Sequence, residues 1–144
     1  MSSGTRRAGR AFALQLLYAR DNDASADLAG VAATWASELE LDVDAEAQTF
    51  ARELVAAATE RATKVDEVIA ASSRNWRIDR MSRVDRNILR LGACELIAFP
   101  NVPVKVVINE AVELAKRFGT AESSAFVNGV LDRIAGAAGR QPED

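Results

Sequence analysis

Residues 6–18, RRAGRAFALQLLY, combine two halves with opposite demands. The first five residues carry three arginines and no acidic residue, whereas residues 11–18 are apolar apart from Gln15 and the Tyr18 hydroxyl. Arginines in the first turns of a helix oppose the helix dipole, which favours acidic side chains there by roughly 0.3–1 kcal/mol each. We therefore predict a helix whose body is buried in the core and whose three guanidinium groups stay in water or meet an anion.

The composition of the chain is that of one globular helical domain. Its 144 residues are enough to bury a core, and 49% hydrophobic with 27% charged residues is typical of such a protein. Alanine and leucine are abundant, whereas there are only 8 glycines and 3 prolines, the residues that disfavour helix most. We therefore predict an all-α fold and a single domain that spans residues 1–144.

The chain contains no histidine, so it lacks the commonest general base, the commonest metal ligand and every Ser-His or Cys-His nucleophile pair. It also has no glycine-rich phosphate loop, zinc-ligand spacing or nucleophile elbow. Its carboxylate pairs, such as Glu110 with Glu113, stand where a solvated helix face puts them. We therefore predict a binding protein that is not an enzyme and that has no metal site and no cofactor.

Cys94 is the single cysteine and lies in the apolar run LGACELIAF, so it has no internal disulfide partner. We expect a buried thiol that packs in the core, and a reducing compartment. The sequence shows neither a secretory signal nor an apolar run long enough to span a membrane. These features predict a cytoplasmic protein.

The net charge of −3 hides an uneven distribution of charge along the chain. Residues 1–20 hold four arginines and no acid, residues 21–72 hold twelve acids and three bases, and residues 73–118 hold nine bases and five acids. Two basic zones therefore flank an acidic one, and the overall charge is a poor guide to nucleic-acid binding.

Apolar residues at steps of three and four predict about seven helices. Asp44 is expected to cap the long third helix, and Ser82 is expected to cap the fifth. The long helix is predicted to form the edge of an N-terminal bundle with the first two, and Gly119 is expected to stop the sixth. The predicted helices span residues 6–20, 27–39, 45–71, 76–81, 83–99, 104–118 and 123–138.

Two positions in the C-terminal half are unusual for helix interiors. Asn128-Gly129 between apolar pairs is a hairpin signal, but the surrounding apolar residues have helical spacing, so a helix is predicted. Gly129 costs about 1 kcal/mol against alanine there, which suggests the close approach of a neighbouring helix. Asn109 lies in the middle of another helix, where asparagine is a poor helix former, and we expect it to make an internal hydrogen bond.

The first basic zone is a candidate contact for a nucleic-acid backbone. The guanidinium groups of Arg6, Arg7 and Arg10 can fork onto phosphates, and Tyr18 can offer a stacking face to an unpaired base. The alternative is a solvated N-terminal segment with Tyr18 in the core. The pattern of residues leaves both interpretations open.

The arginines of the second basic zone favour a structural role. Arg83, Arg86 and Arg90 share one side of a helix, and Asp79 is close enough in sequence to pair with Arg83. We therefore favour a salt-bridged surface that clamps helices together. Asp85 stands among these arginines and either orients Arg86 or faces a protein partner.

Three blocks of the C-terminal half, together with the arginine-rich start, resemble the NusB family of bacterial transcription antitermination factors. The blocks are VDRNILRLGACEL (residues 84–96), VPVKVVINEAVELAKRFG (residues 102–119) and FVNGVLD (residues 126–132). They occur in the family's order, and the resemblance covers essentially the whole chain. The acidic segment 21–72 agrees mainly in its helical pattern.

The resemblance implies an all-helical fold of two perpendicular bundles, here about residues 6–71 and about residues 75–138. It implies a non-enzymatic adaptor that binds the boxA element of ribosomal RNA transcripts together with NusE, a ribosomal protein of the small subunit. The complex joins NusA, NusG and RNA polymerase and suppresses premature termination. Some members of the family form homodimers that cover the RNA surface.

The resemblance also implies roles for individual residues. Its NusE-facing side maps onto Asp85, and Arg86 is assigned to the same side. Gly9 departs from the family's start, which is often richer in arginine or alanine, and weakens the first helical turn by about 1 kcal/mol. The residues assigned to RNA binding are Arg6, Arg7, Arg10, Tyr18 and Glu122.

Two other functions are compatible with the resemblance. NusB-like domains also occur at the N-terminus of ribosomal-RNA cytosine methyltransferases, although no methyl-donor domain follows Asp144 in this sequence. A purely protein-binding helical module, with the arginines as a loose tail, is the other alternative. Binding to NusE but never to RNA would identify that module.

Overall fold

A computed structural model of the chain describes residues 2–22, 44–74 and 76–140, and within them it contains six α-helices, one turn of 3-10 helix and no β-strand. The predicted all-α fold class is confirmed. The helices are α1 Ser3–Asn22, α2 Ala45–Glu60, α3 Ala62–Ser72, α4 Arg83–Ala98, α5 Val104–Phe118 and α6 Ser123–Ala137.

The described residues hold six α-helices, where the sequence predicted about seven. The helix expected at residues 27–39 lies outside the described residues. The helix expected at residues 45–71 is divided at Arg61, whose backbone angles (φ −106°, ψ 17°) depart from the helical region. The segment expected to be a turn or short helix at residues 76–81 contains only the 3-10 turn Ile78–Arg80.

The chain divides into two compact units, Met1–Ala56 and Ala57–Asp144. The sequence analysis assigned residues up to 71 to the first bundle, but residues 57–71 instead belong to the second unit. The reason is that α3 packs against α4 and α6. An apolar period identifies a helix, but it carries no information about which neighbours cover the apolar face.

In the first unit, α1 begins earlier than predicted because Ser2 caps it. The Ser2 Oγ accepts a hydrogen bond from the Thr5 backbone N–H at 3.1 Å, which satisfies one of the free donors at the helix start. Asp44 caps α2 as predicted, accepting from the Ala47 N–H at 2.8 Å. The start of α1 is therefore helical before Arg6 is reached.

The apolar body of α1 is buried as predicted, and Gly9 allows it to approach α2 closely. A β-carbon at Gly9 would lie 2.8 Å from Cδ2 of Phe50 and 3.0 Å from the carbonyl oxygen of Ala47. The sequence suggested only that Gly9 weakens the helix, whereas here its missing side chain makes room for α2. The buried residues of the body are Ala11, Phe12, Ala13, Leu14, Leu16 and Leu17.

In the second unit, α4, α5 and α6 pack against one another, and α3 lies against α4 and α6. Ser82 caps α4 as predicted, its Oγ accepting from the Asp85 N–H at 3.1 Å. A β-carbon at Gly92 would lie 2.7 Å from Cδ1 of Leu131. Helices α4 and α6 therefore approach each other closely at Gly92, a glycine to which the sequence gave no role.

Two arginines join parts of the second unit that are far apart in the sequence. The Arg133 Nε donates to the carbonyl oxygen of Ser72 at 2.6 Å and ties α6 to the end of α3. Arg140 donates to the carbonyl oxygens of Leu96 at 3.2 Å and Val102 at 2.8 Å. These bonds satisfy carbonyls at helix ends and in the α4–α5 corner, which the helices themselves leave without partners.

The helix predicted through Asn128-Gly129 is confirmed by α6. The close approach expected at Gly129 is wrong, because a β-carbon there would meet only Arg133 Nη1 of the same helix, at 3.6 Å. The internal hydrogen bond expected of Asn109 is also wrong, since this residue is exposed on α5. No helix in the described part of the chain is long and apolar enough to cross a membrane.

Cys94 is a buried thiol, as predicted. Burial raises the pKa of the thiol from 9.0 to about 11, because the charged thiolate is poorly solvated in the core. The nearby charge of Arg61 lowers the pKa and that of Glu95 raises it, each by less than burial does. The thiolate that reacts with oxidants and electrophiles is therefore scarce at neutral pH.

Candidate nucleic-acid interface

The first basic zone lies on α1, where Arg6 and Arg7 have exposed side chains. The helix is continuous from Ser3 to Asn22. Eleven residues of α-helix make slightly more than three full turns, so Tyr18 returns to within about 20° of the direction of Arg7, about 16 Å further along the axis. Tyr18 is half-buried. One face of α1 therefore carries a guanidinium group and a phenol ring.

Arg10 does not stay in water, one of the two outcomes that the sequence predicted for its guanidinium group. It is 3% exposed, and its guanidinium carbon lies 5.5 Å from the centroid of the Phe50 ring, within cation–π distance. The sequence held the signal for this burial, because Arg10 precedes Leu14 by four residues and Leu17 by seven and so lies on the apolar stripe. Exposure to water is therefore wrong for Arg10, which contacts α2, while the other predicted outcome, contact with an anion, stays a prediction.

In the second unit, Asp85 and Glu122 line one cavity of about 220 Å³, here called the carboxylate cavity. Asp85 is in the first turn of α4, and Glu122 directly precedes α6. Met81, Phe126 and Trp76 contribute apolar surface to the same cavity. The resemblance assigned Asp85 to NusE and Glu122 to RNA, and the structure brings these two carboxylates together.

The Oδ1 atom of Asp85 is the one side-chain polar atom, within residues 2–22, 44–74 and 76–140, that is buried without a hydrogen-bond partner. Leaving a buried acceptor unpaired costs about 1–3 kcal/mol. A donor group that entered the cavity would remove this cost. Glu122 is exposed and accepts a hydrogen bond from the Thr120 hydroxyl at 3.2 Å, which fixes it beside the start of α6.

Arg86 and Arg90 serve the fold of the second unit. The Arg86 Nη1 donates to the carbonyl oxygens of Ile78 at 3.2 Å and Met81 at 3.4 Å, and so holds the loop before α4. Arg90 forms a bidentate ion pair with Asp66, through Nε–Oδ1 at 3.0 Å and Nη2–Oδ2 at 3.1 Å, and so joins α4 to α3. The helix clamp favoured from the sequence is thus confirmed for Arg90.

Trp76 is the most exposed large apolar side chain of the described residues, at 56%, and the sequence analysis gave it no role. It lines both the carboxylate cavity and a second cavity of about 450 Å³, here called the arginine cavity, to which Arg74 and Arg77 contribute. Asp79 also lines this cavity and pairs with Arg77 at 3.2 Å, not with Arg83 as predicted. The signal in the sequence was a tryptophan with an arginine on either side within two residues.

The chemistry available on these surfaces is that of binding: guanidinium groups, aromatic rings and carboxylates. Among the residues whose positions are described, no group of three or more His, Cys, Asp or Glu side chains is arranged to hold a metal ion.

Comparison with known proteins identifies the family. The model of the NusB family matches residues 7–136. The chain belongs to the NusB family. It is 50% identical over 141 residues to the transcription antitermination protein NusB of Sorangium cellulosum, covering 98% of this chain and 99% of that protein. It is 50% identical over 133 residues to the protein of the same name from Myxococcus xanthus, covering 92% and 95%.

Solved structures of the NusB family have the same fold. The structure of T. maritima NusB matches with a TM-score of 0.79 and 36% identity, over 91% of this chain and 90% of that one. A chain in the crystal structure of antitermination factors NusB and NusE in complex with double-stranded RNA matches with a TM-score of 0.80 and 28% identity, over 94% and 99%. The family resemblance inferred from the sequence is confirmed.

Proposed function

We propose that this member of the NusB family is a transcription antitermination factor that binds boxA RNA together with NusE. Its relatives at 50% identity are transcription antitermination proteins, and a structural neighbour is bound to NusE and double-stranded RNA. The chain acts as an adaptor without catalytic activity. Its effect is to help RNA polymerase resist premature termination on ribosomal RNA transcripts.

The observation that carries the RNA-binding part of the proposal is the exposure of Arg6 and Arg7 in the first turns of a capped helix. The positive end of the helix dipole disfavours these cations and favours an anion in the same place. Phosphates of a single RNA strand would therefore meet guanidinium groups whose backbone is already ordered. Tyr18, which points in nearly the same direction as Arg7, supplies a ring for an unpaired base.

Arg10 has a different role in this proposal. Because it is buried over Phe50, it contributes by holding α1 against α2 and by fixing the direction of Arg6 and Arg7. Two phosphate contacts, not three, then come from this end of the chain.

The carboxylate cavity is the proposed NusE side of the second unit. Asp85 offers an unpaired buried oxygen to a donor from the partner, and Arg86 positions the loop that forms one wall. Glu122 is exposed at the same cavity. We assign it to the edge of the RNA surface, where a negative charge limits how closely phosphates approach.

The wider assembly follows from the family. With NusE and RNA bound, the complex would join NusA, NusG and RNA polymerase, and its place of action would be the bacterial cytoplasm, where transcripts are made. A homodimer that covers Arg6 and Arg7 would be an inactive storage form. The perpendicular arrangement of two helical bundles stays a prediction from the resemblance.

The test is a titration of single-stranded boxA RNA with the full chain, with and without NusE, at several salt concentrations. We expect NusE to raise the affinity, and Arg6→Ala/Arg7→Ala to lower it by about 10- to 100-fold. Each lost phosphate contact to a single strand removes about 0.7 from the log–log salt slope, so the slope should fall by about 1.4.

The matched control is Lys64→Ala/Lys105→Ala, which removes two exposed positive charges from other helices. It should leave the RNA affinity nearly unchanged. Equal losses in the two double variants would mean that only net charge matters and would remove α1 from the mechanism. Binding to NusE without any binding to RNA would instead identify a protein-binding module.

A further inference from the structure

Two hydrogen bonds join Trp76 to Ser73, and yet the indole of Trp76 lies in water. The backbone N–H of Trp76 donates to the Ser73 carbonyl oxygen at 2.8 Å, and the Ser73 hydroxyl donates to the Trp76 carbonyl oxygen at 2.9 Å. Arg86 holds the following turn by its bonds to Ile78 and Met81. These bonds hold the backbone of Trp76, whose indole is 56% exposed, where core packing gives no reason for a large ring.

Two exposed arginines, Arg74 and Arg77, line the arginine cavity together with Trp76. Among the described residues, Arg74 has no ion-pair partner, and the Arg77 pair with Asp79 joins two side chains that are 77% and 61% exposed. Such an exposed pair contributes little and exchanges readily for a stronger anion.

We propose that Trp76, Arg74 and Arg77 form a second contact surface for single-stranded RNA, on the second unit of the chain. A base stacks on the exposed indole at the arginine cavity, and the guanidinium groups hold the flanking phosphates. The combination of a positively charged groove with an aromatic stacking platform is what unpaired nucleic acid requires. This inference rests on the proposed RNA-binding function and adds a site to it that lies apart in sequence from Arg6, Arg7 and Tyr18.

Charge decides between RNA and a protein as the occupant of this surface. The arginine cavity carries two guanidinium groups against one carboxylate, Asp79. Its net positive charge attracts a polyanion and repels a basic protein. Trp76 also lines the carboxylate cavity, where two carboxylates, Asp85 and Glu122, stand against one guanidinium group, Arg80, and therefore favour a positively charged protein segment over phosphates. The indole thus stands at the border between a surface for RNA and a surface for a protein.

The first experiment follows Trp76 directly. The full chain is labelled with 5-fluorotryptophan, and its two fluorine resonances, from Trp35 and Trp76, are assigned with Trp76→Phe. Addition of single-stranded boxA RNA with unpaired flanking nucleotides should shift the Trp76 resonance in proportion to binding, because a stacked base changes the ring's shielding. RNA that binds while the Trp76 resonance stays fixed would overturn the proposal.

The second experiment measures affinity for the same RNA. Trp76→Ala should weaken binding by about 5- to 150-fold, the effect of removing one base–aromatic stack, and Trp76→Phe should restore most of it. Val106→Ala is the matched control, because Val106 is the other large apolar side chain exposed among the described residues, at 40%. The backbone bonds of Trp76 do not need the indole, so unfolding midpoints of these variants should agree.

The outcomes separate this proposal from the proposed function. If Trp76→Ala binds RNA as the native chain does but loses NusE, the surface belongs to a protein and the present inference is overturned alone. If Arg6→Ala/Arg7→Ala and Trp76→Ala each weaken RNA binding, and a variant that carries all three substitutions binds more weakly still, both surfaces contact the RNA. A native chain that binds no RNA, with or without NusE, overturns both.

Discussion

Arg10 of the first unit and Arg90 of the second both leave water, but they do so in different ways. Arg10 lies on the apolar stripe of its own helix and covers the ring of Phe50. Arg90 is half-buried and forks onto Asp66, a carboxylate from another helix. Arg6 and Arg74, which belong to the same two basic zones of the sequence, stay exposed. An arginine-rich segment is therefore a mixture of structural and available cations, and only the available ones can bind a polyanion.

The ion pair between Arg90 and Asp66 should have the largest effect on stability. Arg90→Ala leaves a half-buried carboxylate without its partner and should lower the free energy of unfolding by about 3 kcal/mol. Arg74→Ala, on the exposed side of the same basic zone, should change it by less than about 0.5 kcal/mol. Urea denaturation with a common m-value measures both. Similar losses for the two variants would erase the distinction between structural and available arginines.

Cys94 lies on the same helix as Arg90. The titration of its thiol tests how the burial of a titratable group affects stability. Between pH 9 and 11 the unfolded thiol loses its proton while the folded thiol, whose pKa is about 11, keeps it. Stability that is fully present below pH 9 should therefore fall by about 2 to 3 kcal/mol as the pH rises through this window. The difference between the native chain and Cys94→Ala isolates this loss, and parallel pH profiles would contradict it.

Arg10 should matter for stability where Arg6 does not. Arg10→Ala removes a desolvated cation–π contact and the packing of the arginine stem, so we expect a loss of about 1–2 kcal/mol. Arg6→Ala should stay within about 0.5 kcal/mol of the native chain. In RNA titrations the order should reverse, with Arg6→Ala weakening binding more than Arg10→Lys, which keeps the charge and most of the stem.

Substitutions of Gly9 and Gly129 have the smallest expected effects on stability. Their comparison tests how tightly the arginine-rich start is packed. Gly9→Ala should destabilise the protein by about 1 kcal/mol, because the clash with Phe50 and Ala47 outweighs the gain in helix propensity. Gly129→Ala on α6, where a β-carbon would make only an ordinary contact with Arg133 Nη1 at 3.6 Å, should stabilise it by up to about 1 kcal/mol. A stabilising Gly9→Ala would mean that the start of α1 is a loose tail.

The parts of the fold that depend on local spacing could be predicted from the sequence. Helices α1, α4, α5 and α6, the caps at Asp44 and Ser82 and the helix through Gly129 all follow from periods and capping residues close in the chain. The break at Arg61 could not be predicted, because no proline or glycine marks it. Beyond the break, α3 packs against helices that come later in the sequence, and no local pattern encodes that packing.

The candidate site was predictable to a smaller degree, because its residues are defined by contacts over long separations. The pairing of Arg90 with Asp66 spans 24 residues, and no local pattern encodes it. The burial of Arg10 was encoded by its spacing to Leu14, but its charge was given more weight than its position. Asn109 shows the same error, since it lies on the polar face of α5 where an internal hydrogen bond has no place.

The bonds of Arg140 have a consequence for the order in which the protein is made. Leu96 and Val102 are synthesised long before Arg140, which donates to their carbonyl oxygens. Ser72 is likewise synthesised long before Arg133, which donates to its carbonyl oxygen. The second unit therefore cannot complete these hydrogen bonds until Arg133 and Arg140 have been added. A chain that stops before Arg133 keeps open helix ends that a protease can recognise.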